Sequence, residues 1–170
     1  MNNLEDIKNH IIEKISSTPL SNSPFDHKFV ENIFPDDFYN QLLLNLPNKS
    51  NYVPIVSTGR VSKAYSPERY VFNLLEKKEL DTIEENKKAF LQDFLKILLS
   101  NELFSSVTSQ FSKTIDYRLA NLSLIEKEKL GNSNYKFLIK TSLVKDFTKY
   151  SLGAHTDVLT KFVTFLFYIP

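Results

Sequence analysis

The stretch Ile115–Phe147, IDYRLANLSLIEKEKLGNSNYKFLIKTSLVKDF, decides the fold class of this chain. Two apolar-rich arms flank KEKLGNSN, a polar connection bearing glycine and asparagine, and that arrangement predicts a long β-hairpin. On the first arm Tyr117, Leu119, Asn121, Ser123 and Ile125 fall on one side, and Arg118, Ala120, Leu122 and Leu124 on the other. Everything upstream reads differently. Leu4, Ile7, Ile11 and Ile15 recur at helical spacing behind Asn3 as N-cap. Pro35, Asp36 and Asp37 suit the positive start of a helix that carries Phe38, Leu42 and Leu46 on one face and stops at Pro47. In DTIEENKKAFLQDFLKILLS, residues 81–100, Asp81 and Glu84 have the spacing of a capping box. A wide apolar face follows through Ile83, Phe90, Leu91, Phe94, Leu95, Ile97 and Leu98. Phe104, Val107 and Phe111 continue the period in a second helical piece. Helices followed by strands predict an α+β domain, with helices packed on a mainly antiparallel sheet.

Shorter signals fill the gaps. FDHKFVENIFP, residues 25–35, alternates like a strand, after a linker rich in serine and proline. Residues 51–70 read as two extended pieces around Thr58 and Gly59, with Arg60 and Arg69 flanking aromatics; substrate-facing loops and plain surface hairpins both look like this.

Composition narrows the function. A 170-residue chain with 42% apolar and 24% charged residues is an ordinary globular domain by size and content. A net charge of +1 gives no broad electrostatic footprint for nucleic acid. There is no cysteine, which removes disulfides, thiolate metal sites and cysteine nucleophiles together and fits a reducing compartment. The three glycines, Gly59, Gly131 and Gly153, are too dispersed for a phosphate-binding loop or a dinucleotide fingerprint. No secretory leader or membrane-length apolar run is evident, so the expectation is a cytoplasmic protein without membrane or nucleic-acid partners, acting on a small-molecule or peptide substrate.

The chemistry concentrates in Tyr150–Pro170, YSLGAHTDVLTKFVTFLFYIP. In an extended segment residues two apart face the same side, so His155 and Asp157 present an imidazole and a carboxylate together while Thr156 points away. Neutral nitrogen plus anionic oxygen, without sulfur, matches two members of the two-His-one-carboxylate triad that holds iron(II) and leaves positions open. A His-x-Asp pair alone is weak evidence, since surface pairs of this kind arise by chance.

Its flanks strengthen it. LVKDFTK followed by Tyr-x-Leu, His-Thr-Asp and an apolar stretch ending in Tyr-aliphatic-Pro resembles the first-ligand region of iron(II)- and 2-oxoglutarate-dependent dioxygenases. PFDHKFVENIFPDDFYNQLLLNLP is similar to the entry element of many prolyl-hydroxylase-like bacterial members. The resemblance implies a double-stranded β-helix, or jelly-roll, whose mouth holds Fe(II) and the co-substrates 2-oxoglutarate and O2. It implies oxidation of a substrate C–H bond with release of succinate and CO2. His155 and Asp157 would then be the metal ligands and catalytic centre. Tyr150, Lys161 and Arg118 would be candidates for holding the co-substrate, with Asn121 beside them if that strand face lines the mouth. Each has a plainer alternative: Tyr150 as a core residue, Lys161 as a surface charge.

The second histidine of such a triad lies on a later strand in that family, and VLTKFVTFLFYIP offers none. His10, off its helix stripe, and His27, in a strand-like entry, are the remaining histidines and read as surface residues. Phe162, Val163, Phe165, Leu166, Phe167 and Ile169 populate both faces of an expected strand, which suits burial on both sides. A jelly-roll needs about eight strands, more than are readable here. The sequence therefore predicts one domain over 1–170, incomplete at its C-terminal side: 1–112 mainly helical with short strands, 113–170 the first strands of the jelly-roll. Alone, the chain is expected to be inactive and to lack the third iron ligand. Two other classes remain: a non-catalytic binding or assembly module whose terminal strand pairs with a partner, and a metal-dependent hydrolase using His155 and Asp157.

Overall fold

The computed structural model describes residues 3–62, 65–130, 137–147, 149–151, 157–158 and 160–169. The first helix, α1 (Leu4–Ser17), starts where the Asn3 side chain accepts hydrogen bonds from the Glu5 and Asp6 amides, at 2.6 and 3.1 Å. Ile7, Ile11 and Ile15, one turn apart, are its buried stripe. Helix α2 (Asp36–Asn45) opens behind Pro35 with two aspartates in its first turn and buries Phe38 and Leu42. Helix α4 (Glu85–Leu98) follows the short α3 (Lys77–Leu80) and buries Leu91, Phe94, Leu95 and Ile97. Helix α5 (Asn101–Gln110) is capped by the Ser100 hydroxyl and buries Leu103 and Val107. The buried faces of α1, α2, α4 and α5, together with Phe34, form the larger of two cores.

The second core joins helix to sheet. Strand β1 (Val53–Pro54) pairs antiparallel with β2 (Arg69–Asn73), which pairs antiparallel with β3 (Ser142–Asp146), in the order β1-β2-β3. Between β1 and β2 the chain reverses through Gly59 at φ 72°, a left-handed conformation that costs any residue with a Cβ. Phe72 and Leu74 from β2 and its exit pack with Tyr52, Leu80, Leu91 and Leu95. Partly buried Phe90 touches both cores, so α4 ties the helical layer to the sheet.

Burial pushes the Tyr52 phenol up to about 12 from its ordinary 10.0. The folded state thus holds this proton more tightly than the unfolded chain, so the contribution is intact below the unfolded value and is lost as pH rises through the folded one. Urea midpoints are expected to fall between about pH 10 and 12, and the Tyr52→Phe variant to show a shallower fall. Equal slopes for the two proteins would remove Tyr52 as a contributor.

The α+β class holds: helices pack beside a small antiparallel sheet. Four local expectations are corrected. Residues 112–129 are helical, as α6 (Ser112–Ala120) and α7 (Leu124–Lys129), so the first hairpin arm is absent and the assignment of residues from 113 onward to strands fails there. The reason is local: residues 116–124 contain no β-branched side chain and are rich in helix formers. Ile115 and Leu122 recur at helical spacing and are buried, and Ser123 with Glu126 forms a full capping box. Strand β3 then pairs with β2 rather than with residues 117–125. In residues 25–35 only an isolated bridge, Ser21 to His27, replaces the expected strand.

Asp81 is not part of a capping box. It ends α3 and takes ion pairs from Lys77 and from Lys88, the latter at 2.8 Å, while Glu84 occupies the N-cap of α4 without a side-chain cap. Finally, residues 161–169 carry no strand pairing among the described residues and are covered on one side only. Val163, Phe167 and Ile169 lie against the helical core, with the Phe34 and Phe167 ring centroids 5.2 Å apart, while Phe165, Leu166 and Tyr168 are exposed.

Candidate functional site

The sheet and its exit fix the chain as far as Tyr150, upstream of the His-Thr-Asp motif in sequence. Antiparallel register sets Arg69, the first residue of β2, opposite Asp146, the last of β3. Their side chains form a two-pronged ion pair: Nε donates to Oδ1 at 2.7 Å and Nη2 to Oδ2 at 2.6 Å. A planar fork meeting a carboxylate in this way is the geometry that lysine cannot copy. Beyond Asp146 the Phe147 amide donates to the Glu68 carbonyl at 3.0 Å, extending the pairing by one residue. The Tyr150 amide then donates to the Phe147 carbonyl at 2.8 Å, closing a tight turn.

Tyr150 is held on three sides. The Arg69 guanidinium lies over its ring at 4.0 Å, and its hydroxyl hydrogen-bonds the Tyr65 hydroxyl at 2.7 Å. Partial burial, and then the hydrogen bond to Tyr65, push the Tyr150 phenol up to about 12, against the opposing pull of the nearby guanidinium. The hydrogen bonds to Asp146 in turn hold the Arg69 charge more firmly. Around this centre Phe147 stacks edge-on against Tyr70 at 5.1 Å and receives Lys49 over its face at 4.4 Å.

The candidate residues fall as follows. His155 lies outside the described residues, as does Thr156. Asp157 is exposed, and its Oδ2 pairs with the Lys161 ammonium at 3.0 Å. Lys161 is therefore beside the acidic member of the motif. Arg118 sits on α6 rather than on a hairpin, and its Nη1 donates to the Lys161 carbonyl, so helix α6 braces the segment just after the motif. Asn121 is the C-cap of that helix and its side-chain amide donates to the Tyr117 carbonyl at 2.7 Å. His10 Nε2 is 3.3 Å from the Asn32 carbonyl, and His27 Nδ1 is 2.8 Å from the Phe25 carbonyl.

Asp157, Lys161 and Arg118 are thus joined by specific contacts, while Tyr150 belongs to a separate set with Tyr65 and Arg69. The network of Arg69, Tyr65 and Asp146 was not legible as a unit. Its signal was the opposite charge of Arg69 and Asp146, which becomes meaningful only once β2 is known to pair with β3. Among the described residues no three His, Cys, Asp or Glu side chains converge as a metal cluster. The donor chemistry still suits iron(II): a carboxylate with only one oxygen engaged by an ammonium, two residues from an imidazole. Comparisons with protein families, with curated proteins and with solved structures return no match to this chain.

Proposed function

We propose that this chain carries the metal-binding motif of an iron(II)- and 2-oxoglutarate-dependent dioxygenase that oxidises a C–H bond of its substrate. The observation that carries the proposal is His155-Thr156-Asp157 set between a strand-turn-tyrosine approach and an apolar segment ending in Tyr168-Ile169-Pro170. His155 and Asp157 would hold the iron. When bound, Fe(II) with 2-oxoglutarate and O2 supplies the oxidising power, with succinate and CO2 as co-products. The sheet β1-β2-β3 is read as the beginning of the jelly-roll wall in this proposal.

What the protein's own residues contribute is geometry. Arg69 and Asp146 fix the end of β3, and the Tyr150 amide, bonded to the Phe147 carbonyl, holds the chain just beyond it. Lys161 stands beside the Asp157 carboxylate and would offer an ammonium to the negatively charged co-substrate. Arg118, holding the Lys161 backbone, keeps that ammonium close.

The test is equilibrium dialysis of the chain with labelled 2-oxoglutarate under nitrogen. Retention is expected with Fe(II) present and to fall severalfold with Fe(II) omitted or with Lys161→Ala. Retention indifferent to Fe(II) contradicts the proposal.

A second class is favoured by one observation. Residues 161–169 present Phe165, Leu166 and Tyr168 to solvent and have no ladder partner among the described residues. Such a segment suits strand addition by a partner protein, with the His-Asp pair incidental. No metal-dependent retention of 2-oxoglutarate would favour this assembly module.

A further inference from the structure

We propose that the groove bounded by the exit of β2, α3 and α4 binds a medium-chain aliphatic carboxylate; this does not rest on the metal-binding role proposed above. Sequence spacing brings the three elements to one place. Lys88, Gln92 and Leu95 stand four and then three residues apart and share one face of α4. Lys77 and Leu80 stand three apart on α3, and Leu74 and Leu75 follow the end of β2. Together these side chains line a cavity of about 350 Å³, at the small end of the range for small-molecule sites.

Floor and rim differ in chemistry. Leu74, Leu80 and Leu95 are buried members of the smaller core, so the floor is apolar and fixed. Leu75 is 44% exposed, a stretch of aliphatic wall that a hydrocarbon tail would remove from water. The charged groups on the rim are both lysines, and among the described residues no carboxylate lines the groove. Asp81, which ends α3, takes ion pairs from both, Lys88 at 2.8 Å, so one carboxylate serves two ammonium groups. Glu85 is farther from Lys88, at 3.6 Å, and its side chain is largely exposed. Lys88 is 19% exposed and keeps its place, whereas Lys77, 85% exposed, can turn toward a ligand without uncovering the core. An apolar floor under two ammonium groups matches a ligand with an aliphatic body and one anionic end. A neutral lipid would leave the lysines unused, and a small polar anion would leave the leucines unused.

The experiment titrates the full chain with octanoate, hexanoate, acetate and 1-octanol, following backbone amide shifts by NMR. Octanoate is expected to bind saturably and to move the amides of Leu75, Lys77, Lys88 and Gln92. Hexanoate should bind roughly tenfold more weakly, because two buried methylenes are lost, and acetate should not bind. Lys88→Gln should weaken octanoate about fivefold, the upper range for a charge pair open to solvent, and leave the weaker binding of 1-octanol unchanged. Lys77→Gln, at an exposed position, repeats the test should Lys88→Gln fail to fold. Octanoate that does not bind, or that binds wild type and both lysine variants alike, would overturn the inference. Octanoate and 1-octanol of equal affinity would overturn it as well, since the rim would then select nothing. So would shifts centred on the exposed Phe165, Leu166 and Tyr168, which would report a nonspecific apolar contact elsewhere on the surface.

Discussion

Replacing Phe72 by alanine is expected to destabilise the protein by about 3–5 kcal/mol, the usual cost of deleting a large aromatic from a packed core. Phe72 is fully buried on β2, the middle strand of the sheet, with its ring centroid 5.9 Å from that of Tyr52. Leu91 and Leu95 of α4 close over it in the same cluster. Its neighbours Leu74 and Leu91 are themselves fully buried, which limits collapse into the void. Against a typical total stability of about 5–15 kcal/mol, such a loss leaves a small margin or none. Urea denaturation followed by circular dichroism measures it. A cost below about 1 kcal/mol, the range of ordinary surface changes, would mean that the sheet does not pack on α4 as described. Phe72→Leu, which refills most of the volume, should recover more than half of the loss.

The fold was legible wherever a local period met a local cap. Ile7, Ile11 and Ile15 behind Asn3, and the two aspartates behind Pro35, carry their own start signals and bury the side chains that their spacing selects. Residues 112–129 misled because Tyr117–Ile125 satisfies a two-residue alternation and a helical period together. The capping box at Ser123 and Glu126 and the lack of β-branched residues over 116–124 were the deciding cues. The pairing of β3 with β2, from Asn73 with Ser142 to Arg69 with Asp146, joins residues far apart in sequence, and no local pattern encodes it. The Arg69–Asp146–Tyr150 network depends on that pairing and was hidden with it. The terminal apolar run shows a related limit: composition announces burial, but not that Val163, Phe167 and Ile169 turn inward while Leu166 and Tyr168 remain outside.

The second large effect is expected at the motif. Removing either the imidazole of His155 or the carboxylate of Asp157 would take away one of the two iron ligands proposed above. The loss should exceed the roughly 10–100-fold typical of residues that only support a ligand. The fold should be unaffected by the Asp157 change, because that side chain is exposed and its ion pair to Lys161 is also exposed. Lys161→Ala provides the opposite sign: it removes the ammonium that competes for the Asp157 carboxylate and should strengthen metal binding modestly while weakening 2-oxoglutarate retention. The central claim is tested most directly by anaerobic titration calorimetry of Fe(II) into the wild-type chain, His155→Ala and Asp157→Ala. One weak Fe(II) site per wild-type chain is expected, with binding lost in both variants and, for the exposed Asp157, at an unchanged thermal midpoint. Fe(II) binding of equal strength in all three proteins would contradict it.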